Sequence, residues 1–124
     1  MSEAVTACRV MIVDDDEGVL QAMGKLLARW GYDPVLFAGF EDARSWLAEH
    51  APAAVVVDVR LGKYNGLQLV HLARKGNPQT VAVAVSGFDD PVLRTEAARA
   101  GAPYLLKPLD LLGLRDLLPI PNAT

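Results

Sequence analysis

Short apolar runs rich in β-branched residues alternate along the chain with longer stretches in which apolar side chains recur every three or four positions. That is the pattern of strands alternating with amphipathic helices. Arg9 to Val13, Val35 to Phe37, Ala53 to Val57, Val81 to Val85 and Tyr104 to Leu106 are the expected strands, the second being the weakest. The first, third and fourth are apolar at nearly every position, as in strands covered on both faces. Val19, Leu20, Met23, Leu26, Leu27 and Trp30 outline a first helix that Gly31 should stop. Further helices are expected over Phe40 to Leu47, from Leu67 to near Gly76, over Pro91 to Ala100 with the proline in the first turn, and over Leu111 to Leu118 ahead of Pro119 and Pro121. The fold class is therefore α/β, a doubly wound five-stranded parallel sheet with helices on both faces.

At 124 residues the chain is one domain's worth. A hydrophobic fraction of 52% with 22% charged residues is ample for a core and far from the composition of disorder. Fifteen acidic against twelve basic side chains give a net charge of -3, which argues against direct nucleic-acid binding through a basic face. The single cysteine, Cys8, excludes an internal disulfide and any multi-cysteine zinc site, and at the edge of an apolar run it reads as a small buried hydrophobe. Met1 to Ala7 lacks the features of a secretory signal, and no run reaches the roughly 18 apolar residues of a membrane span. The expectation is a cytoplasmic protein with no membrane insertion. A single domain over 1–124 is expected, with a core of about 9–118 and 119–124 as a C-terminal tail or linker stump.

Ligands of open α/β sheets bind at the carboxyl ends of the strands, so the residues just after each strand carry the chemistry. Asp14, Asp15 and Asp16 follow the first strand, Asp58 the third, Ser86 and Gly87 the fourth, and Lys107 and Pro108 the fifth. Asp16, just before the first helix, reads as its N-cap. Each of the others alone is an ordinary turn or loop residue. A set of this kind, in an order that the fold would converge, points to phosphate chemistry.

These residues resemble the receiver domains of response regulators in bacterial two-component systems, of the chemotaxis-regulator type. The resemblance runs from Arg9 to about Leu118. It is carried by Val13-Asp14-Asp15, by D-x-x-L-x-x-x-N-G (Asp58, Leu61, Asn65, Gly66), by Ser86-Gly87, by A-x-x-A-G-A (Ala97 to Ala102), and by Tyr104 three residues before Lys107-Pro108. It implies the flavodoxin-like strand order 2-1-3-4-5. It implies Asp58 as the phosphoacceptor for a histidine kinase or histidine phosphotransfer protein. It also implies Mg²⁺ held by Asp15 and Asp58, by Asp14 mainly through water, and by the backbone carbonyl of Arg60. Ser86 and Lys107 would then bind the phosphoryl oxygens, and Tyr104 would rotate into space that Ser86 vacates. Lys107-Pro108 is often a cis peptide in such domains. The output surface would be the fourth helix, fifth strand and fifth helix, which could also form a homodimer; the downstream target has no signature in the sequence. Such a domain is a signalling phosphoprotein whose only chemistry is its own phosphorylation and dephosphorylation. Three crowded carboxylates, one Mg²⁺ and one lysine are neutral together, and an aspartyl phosphate adds about one negative charge.

The chain departs from the family pattern at several points. Gly62 stands where a proline is usual, which should loosen that loop. The segment between Gly101 and Lys107 is one residue short and contains Pro103. Arg60 and Phe88 hold the two variable positions that tune dephosphorylation, and neither is an obvious water-positioner. Two rival readings remain. One is a small Mg²⁺-dependent phosphatase of the haloacid-dehalogenase type, with Asp14 as nucleophile and Asp16 as the second acid of D-x-D. The other is an unphosphorylated interaction module on the same fold.

Overall fold

A computed structural model describes residues 8–121, so the expectations for Met1 to Ala7, and for the last three residues of the tail, lie outside the described residues. Five strands, β1 (Arg9–Val13), β2 (Asp33–Phe37), β3 (Ala54–Asp58), β6 (Val81–Ser86) and β7 (Tyr104–Leu106), pair in parallel in the order β2-β1-β3-β6-β7. This is the expected 2-1-3-4-5 topology once a small hairpin, β4 (Arg60–Leu61) with β5 (Tyr64–Asn65), is numbered in. Helices α1 (Glu17–Arg29), α2 (Phe40–Leu47), α3 (Leu67–Gly76) and α4 (Pro91–Arg99) provide the crossovers, and α5 (Leu111–Leu117) follows the last strand.

Alternation along the strands explains why they are apolar throughout. Val10, Ile12, Val56 and Val83 face one core with Leu20, Met23 and Leu27 of α1 and Leu114 of α5. Met11, Val13, Val55 and Val57 face the other with Leu69 and Val70 of α3 and Phe40 and Ala43 of α2. Both faces exclude water, so a polar residue inside a strand would be stranded. The polar positions therefore collect at the strand ends.

Three boundaries differ from the sequence reading. β2 starts at Asp33 and includes Pro34, paired with Val10, because β2 is an edge strand with one neighbour and tolerates a residue that lacks an N–H. β3 and β6 extend one residue to take in Asp58 and Ser86, so both side chains project from ordered strand ends. The loop that holds Gly62 is a two-residue hairpin turn, with Leu61 opposite Tyr64 and Gly62 at φ 59°. Glycine is at no disadvantage in that left-handed region, which is why the proline usual here can be absent without breaking the connection.

Gly66 has a different reason to be glycine. Its φ is an ordinary -61°, but a Cβ at this position would overlap the carbonyl oxygen of Asp58. The start of α3 thus lies directly on the backbone of the β3 end, tied by Gly66 N–H donating to Val59 O at 2.7 Å. We expect Gly66→Ala to lower stability by about 2–4 kcal/mol, since backbone and not a pliable side chain must move. Urea unfolding measures it, and a loss under about 0.5 kcal/mol, the usual range for a surface change, would contradict this packing.

Candidate functional site

The sheet order makes β1 and β3 neighbours, and the strand order reverses between them. Asp14, just past β1, and Asp58, the last residue of β3, therefore open into one cleft. Both are buried, at 4% and 7% exposure, whereas Asp15 faces solvent. Carboxylate oxygens of Asp14, Asp15 and Asp58 lie within 4.8 Å of one another.

Each buried carboxylate is held in the same way. One oxygen accepts a backbone N–H two residues on: Asp16 N–H to Asp14 Oδ1 at 2.9 Å, and Arg60 N–H to Asp58 Oδ1 at 3.2 Å. The other oxygen faces the Lys107 ammonium, whose Nζ is 2.8 Å from Asp14 Oδ2 and 3.3 Å from Asp58 Oδ2. Lys107 follows β7 at the far side of the sheet and reaches back across β6; its peptide bond to Pro108 is cis.

Burial raises the Asp58 pKa above its ordinary value, and the nearby Asp14 charge adds to the shift; Lys107 and the Arg60 N–H offset only part of it. For Lys107, burial acts against the charged form. The hydrogen bond to Asp14 and the fields of Asp58 and Asp14 outweigh it, so its pKa is raised and it stays an ammonium. Three clustered carboxylates form a hard oxygen donor set, which suits a divalent cation that prefers oxygen ligands. The residues fit such an ion.

Ser86, at 1% exposure, ends β6, and its Oγ accepts the Phe88 N–H at 3.1 Å. Tyr104, at the start of β7, donates its hydroxyl to Phe88 O at 2.7 Å, with the Arg94 guanidinium over its ring at 4.8 Å. Ser86, Phe88 and Tyr104 are thus linked in series through one residue's backbone. The Arg60 side chain does not lie free over the cleft. Its guanidinium stacks on the Phe88 ring at 4.6 Å and contacts Asp90 Oδ2 at 3.3 Å.

Asp16 is the N-cap of α1, accepting the Val19 N–H at 3.2 Å. That removes the second acid the phosphatase alternative needs, and that alternative finds no support. Asp90 was not among the expected functional positions, although Asp90-Pro91 carries a cap signal: an acid at N-cap followed by proline at N1. Its Oδ1 accepts from the N–H groups of Val92 and Leu93. Arg74, equally unforeseen, donates to the carbonyls of Thr80 and Ala100 and so ties α3 to the C-terminal end of α4.

Residues 10–118 match the family described as the response regulator receiver domain. The chain is 31% identical over 110 residues to the transcriptional regulatory protein ZraR of Salmonella typhimurium, covering 88% of this chain and 25% of that protein. The curated relatives compared are spanned over 24% to 60% of their own lengths. Among solved structures, a receiver domain protein from Methanospirillum hungatei superimposes with a TM-score of 0.82 at 24% identity, covering 90% of both chains. A response regulator protein from Burkholderia pseudomallei, crystallised with a phosphorylated aspartic acid, a calcium ion and citrate, gives a TM-score of 0.81 at 22% identity over 90% of this chain and 66% of that one. The likeness to these two structures is one of fold. The family match spans both cores and every strand end that feeds the acidic cleft, and the chain belongs to the response regulator receiver domains of two-component systems.

Proposed function

We propose that Asp58 is the phosphoacceptor, taking a phosphoryl group from a phosphohistidine on a histidine kinase or histidine phosphotransfer protein. The observation that carries this is the buried Asp58 carboxylate at the switch point of the sheet, within 3.3 Å of Lys107 Nζ and clustered with Asp14 and Asp15. A carboxylate oxygen of Asp58 attacks phosphorus, the P–N bond breaks, and the imidazole leaves with the bonding pair. Mg²⁺, held by Asp14, Asp15, Asp58 and the backbone carbonyl of Arg60, would neutralise charge on the transferring phosphoryl oxygens.

The chain's own residues do the rest. Lys107 balances Asp14 and Asp58 in the resting protein and is placed to follow the extra negative charge once Asp58 carries a phosphoryl group. Ser86 donates its hydroxyl to a phosphoryl oxygen. Moving it disturbs Phe88, whose N–H it holds, and Phe88 O is the acceptor of Tyr104. Tyr104 then loses its outer anchor and turns inward, altering the face made of α4, β7 and α5. Phe88, Val92, Leu111 and Leu112 give that region exposed apolar surface for a protein target or a second copy of the chain. The chain performs no turnover beyond its own phosphorylation and dephosphorylation. A cytoplasmic setting agrees with its one unpaired thiol, Cys8. Among the described residues no helix is long and apolar enough to cross a membrane.

Incubation with acetyl phosphate and Mg²⁺ should add one phosphoryl mass to the wild type and none to Asp58→Asn. Chelation of the metal should abolish the gain. Lys107→Ala should still gain some label, but beryllofluoride should not move its amide shifts around Tyr104. Labelled Asp58→Asn, or beryllofluoride shifts around Tyr104 as large in Lys107→Ala as in wild type, would contradict these roles.

The raised Asp58 pKa has a definite sign for stability. The folded protein binds this proton more tightly than the unfolded chain. Asp58 therefore favours folding below its ordinary value of 3.8, and that contribution is lost as pH rises through the higher folded value. At pH 7 with chelator, Asp58→Asn should melt roughly 2–6 °C above wild type, because Lys107 keeps Asp14. The gap should close toward pH 3. A variant equally stable or weaker at pH 7 would show that the Lys107 contact outweighs burial.

Phosphoryl lifetime should be long, because hydrolysis needs a water in line with phosphorus and Phe88 offers it no hydrogen bond. The double change Arg60→Asn with Phe88→Glu should hasten decay after kinase removal by about ten-fold, within the reach of positioned general-base assistance. Unchanged decay would place the clock elsewhere.

A further inference from the structure

α4 is the least deeply seated of the longer helices. Ala97 is its one buried residue, whereas α1 and α3 each bury four. Polar straps take up the shortfall. Arg60 reaches Asp90 at 3.3 Å, Asn65 Nδ2 donates to Glu96 Oε1 at 3.3 Å, and Arg94 pairs with Asp89. Two of these straps start in the short segment that follows Asp58.

We propose that the Arg60–Asp90 pair is the coupling element between the phosphoacceptor and α4: charge gained at Asp58 draws Arg60 off Asp90 and frees the N-terminus of α4. The inference rests on the reading of Asp58 as phosphoacceptor. Arg60 is anchored to Asp58 through its own N–H at 3.2 Å, so its guanidinium swings from a point two residues from the phosphorylated side chain. The Phe88 ring, 60% exposed, gives the guanidinium a shelf from which to move. In the resting protein the pair is a single contact between partly exposed groups, which is weak and easily exchanged. A phosphoryl dianion offers two or three acceptor oxygens to the planar guanidinium, and a bidentate charge-assisted contact outcompetes the single one.

Asp90 divides its two oxygens between helix and strap: Oδ1 caps Val92 and Leu93, and Oδ2 meets Arg60. Losing Arg60 leaves the cap in place but removes the tie that holds the capped turn toward the β3 end. Linkage makes the effect reciprocal, so cutting the strap must favour the phosphorylated state by as much as phosphorylation favours release.

The test is an amide-shift titration of the Mg²⁺-loaded protein with beryllofluoride in wild type, Asp90→Asn, Asp90→Ser, Arg60→Met and Arg60→Met with Asp90→Asn. Asparagine and serine both keep an N-cap acceptor, so α4 stays formed. Either Asp90 change should tighten beryllofluoride binding about two- to five-fold, the most that a partly exposed pair can return, and should move the free protein's Val92 to Arg94 amides toward their bound positions. Arg60→Met should weaken binding and erase the gain from Asp90→Asn. Wild-type affinity in both Asp90 variants, or a gain that persists without Arg60, overturns the strap while leaving Asp58 as acceptor intact. Absence of any beryllofluoride-induced shift in the wild type overturns the acceptor reading and the coupling with it.

Discussion

One ammonium group between two buried carboxylates organises the carboxyl end of the sheet. Lys107 is 2.8 Å from Asp14 and 3.3 Å from Asp58, and those acids end up together because β1 and β3 are neighbours. Without the ammonium, two adjacent negative charges would stand in a largely dehydrated cleft, which a fold of ordinary stability tolerates poorly. Even with it, burial and the neighbouring Asp14 charge leave the Asp58 pKa raised. The site is thus held short of electrostatic rest by the same strand order that builds the core. That shortfall is chemically useful, since a group able to bring positive charge or to redistribute negative charge meets a site already set against its resting state.

The strands that converge on this site are legible because burial on both faces leaves a strong mark in sequence. Val10 to Val13 and Val81 to Val85 could scarcely be anything else once flanked by helical periodicity. Asp14, Asp58, Ser86 and Lys107 stand out for the complementary reason: each is the first polar residue after an apolar run, the place where a doubly wound sheet presents its ligands. Strand order is another matter. No periodicity distinguishes 2-1-3-4-5 from other parallel arrangements, and resemblance to known receiver domains supplied it.

What stayed hidden depends on contacts between residues distant in sequence. The β4–β5 hairpin has two-residue strands, too short to show any alternation, and Gly62 signals a turn without naming its partner. Gly66 looks like a helix-entry glycine, yet its constraint is the Asp58 carbonyl oxygen, which occupies the space a Cβ would need. Asp90 carries a legible cap signal, but the pairing of its second oxygen with Arg60 joins exposed side chains thirty positions apart. Such contacts follow from the fold and cannot be read ahead of it.

The uneven seating of the helices gives these hidden contacts their importance. A helix fixed by a broad apolar stripe moves only when that stripe is exposed, at a cost set by buried area. α1 and α3 are of this kind. α4 buries Ala97 and leans on Arg60, Asn65, Arg74 and Arg94 for the rest, so its position depends on polar contacts that can be exchanged for others of similar strength. Arg74 holds the C-terminal end through the Ala100 carbonyl, far from the acidic cleft, while Arg60 holds the N-terminal end beside it. A change of charge in the cleft can therefore act on one end of α4 while the other remains tied, which makes a pivot of the helix less costly than its detachment. The small apolar footprint of α4 is in this sense a requirement of the switch, because a deeply packed helix in its place would be indifferent to a single phosphoryl group.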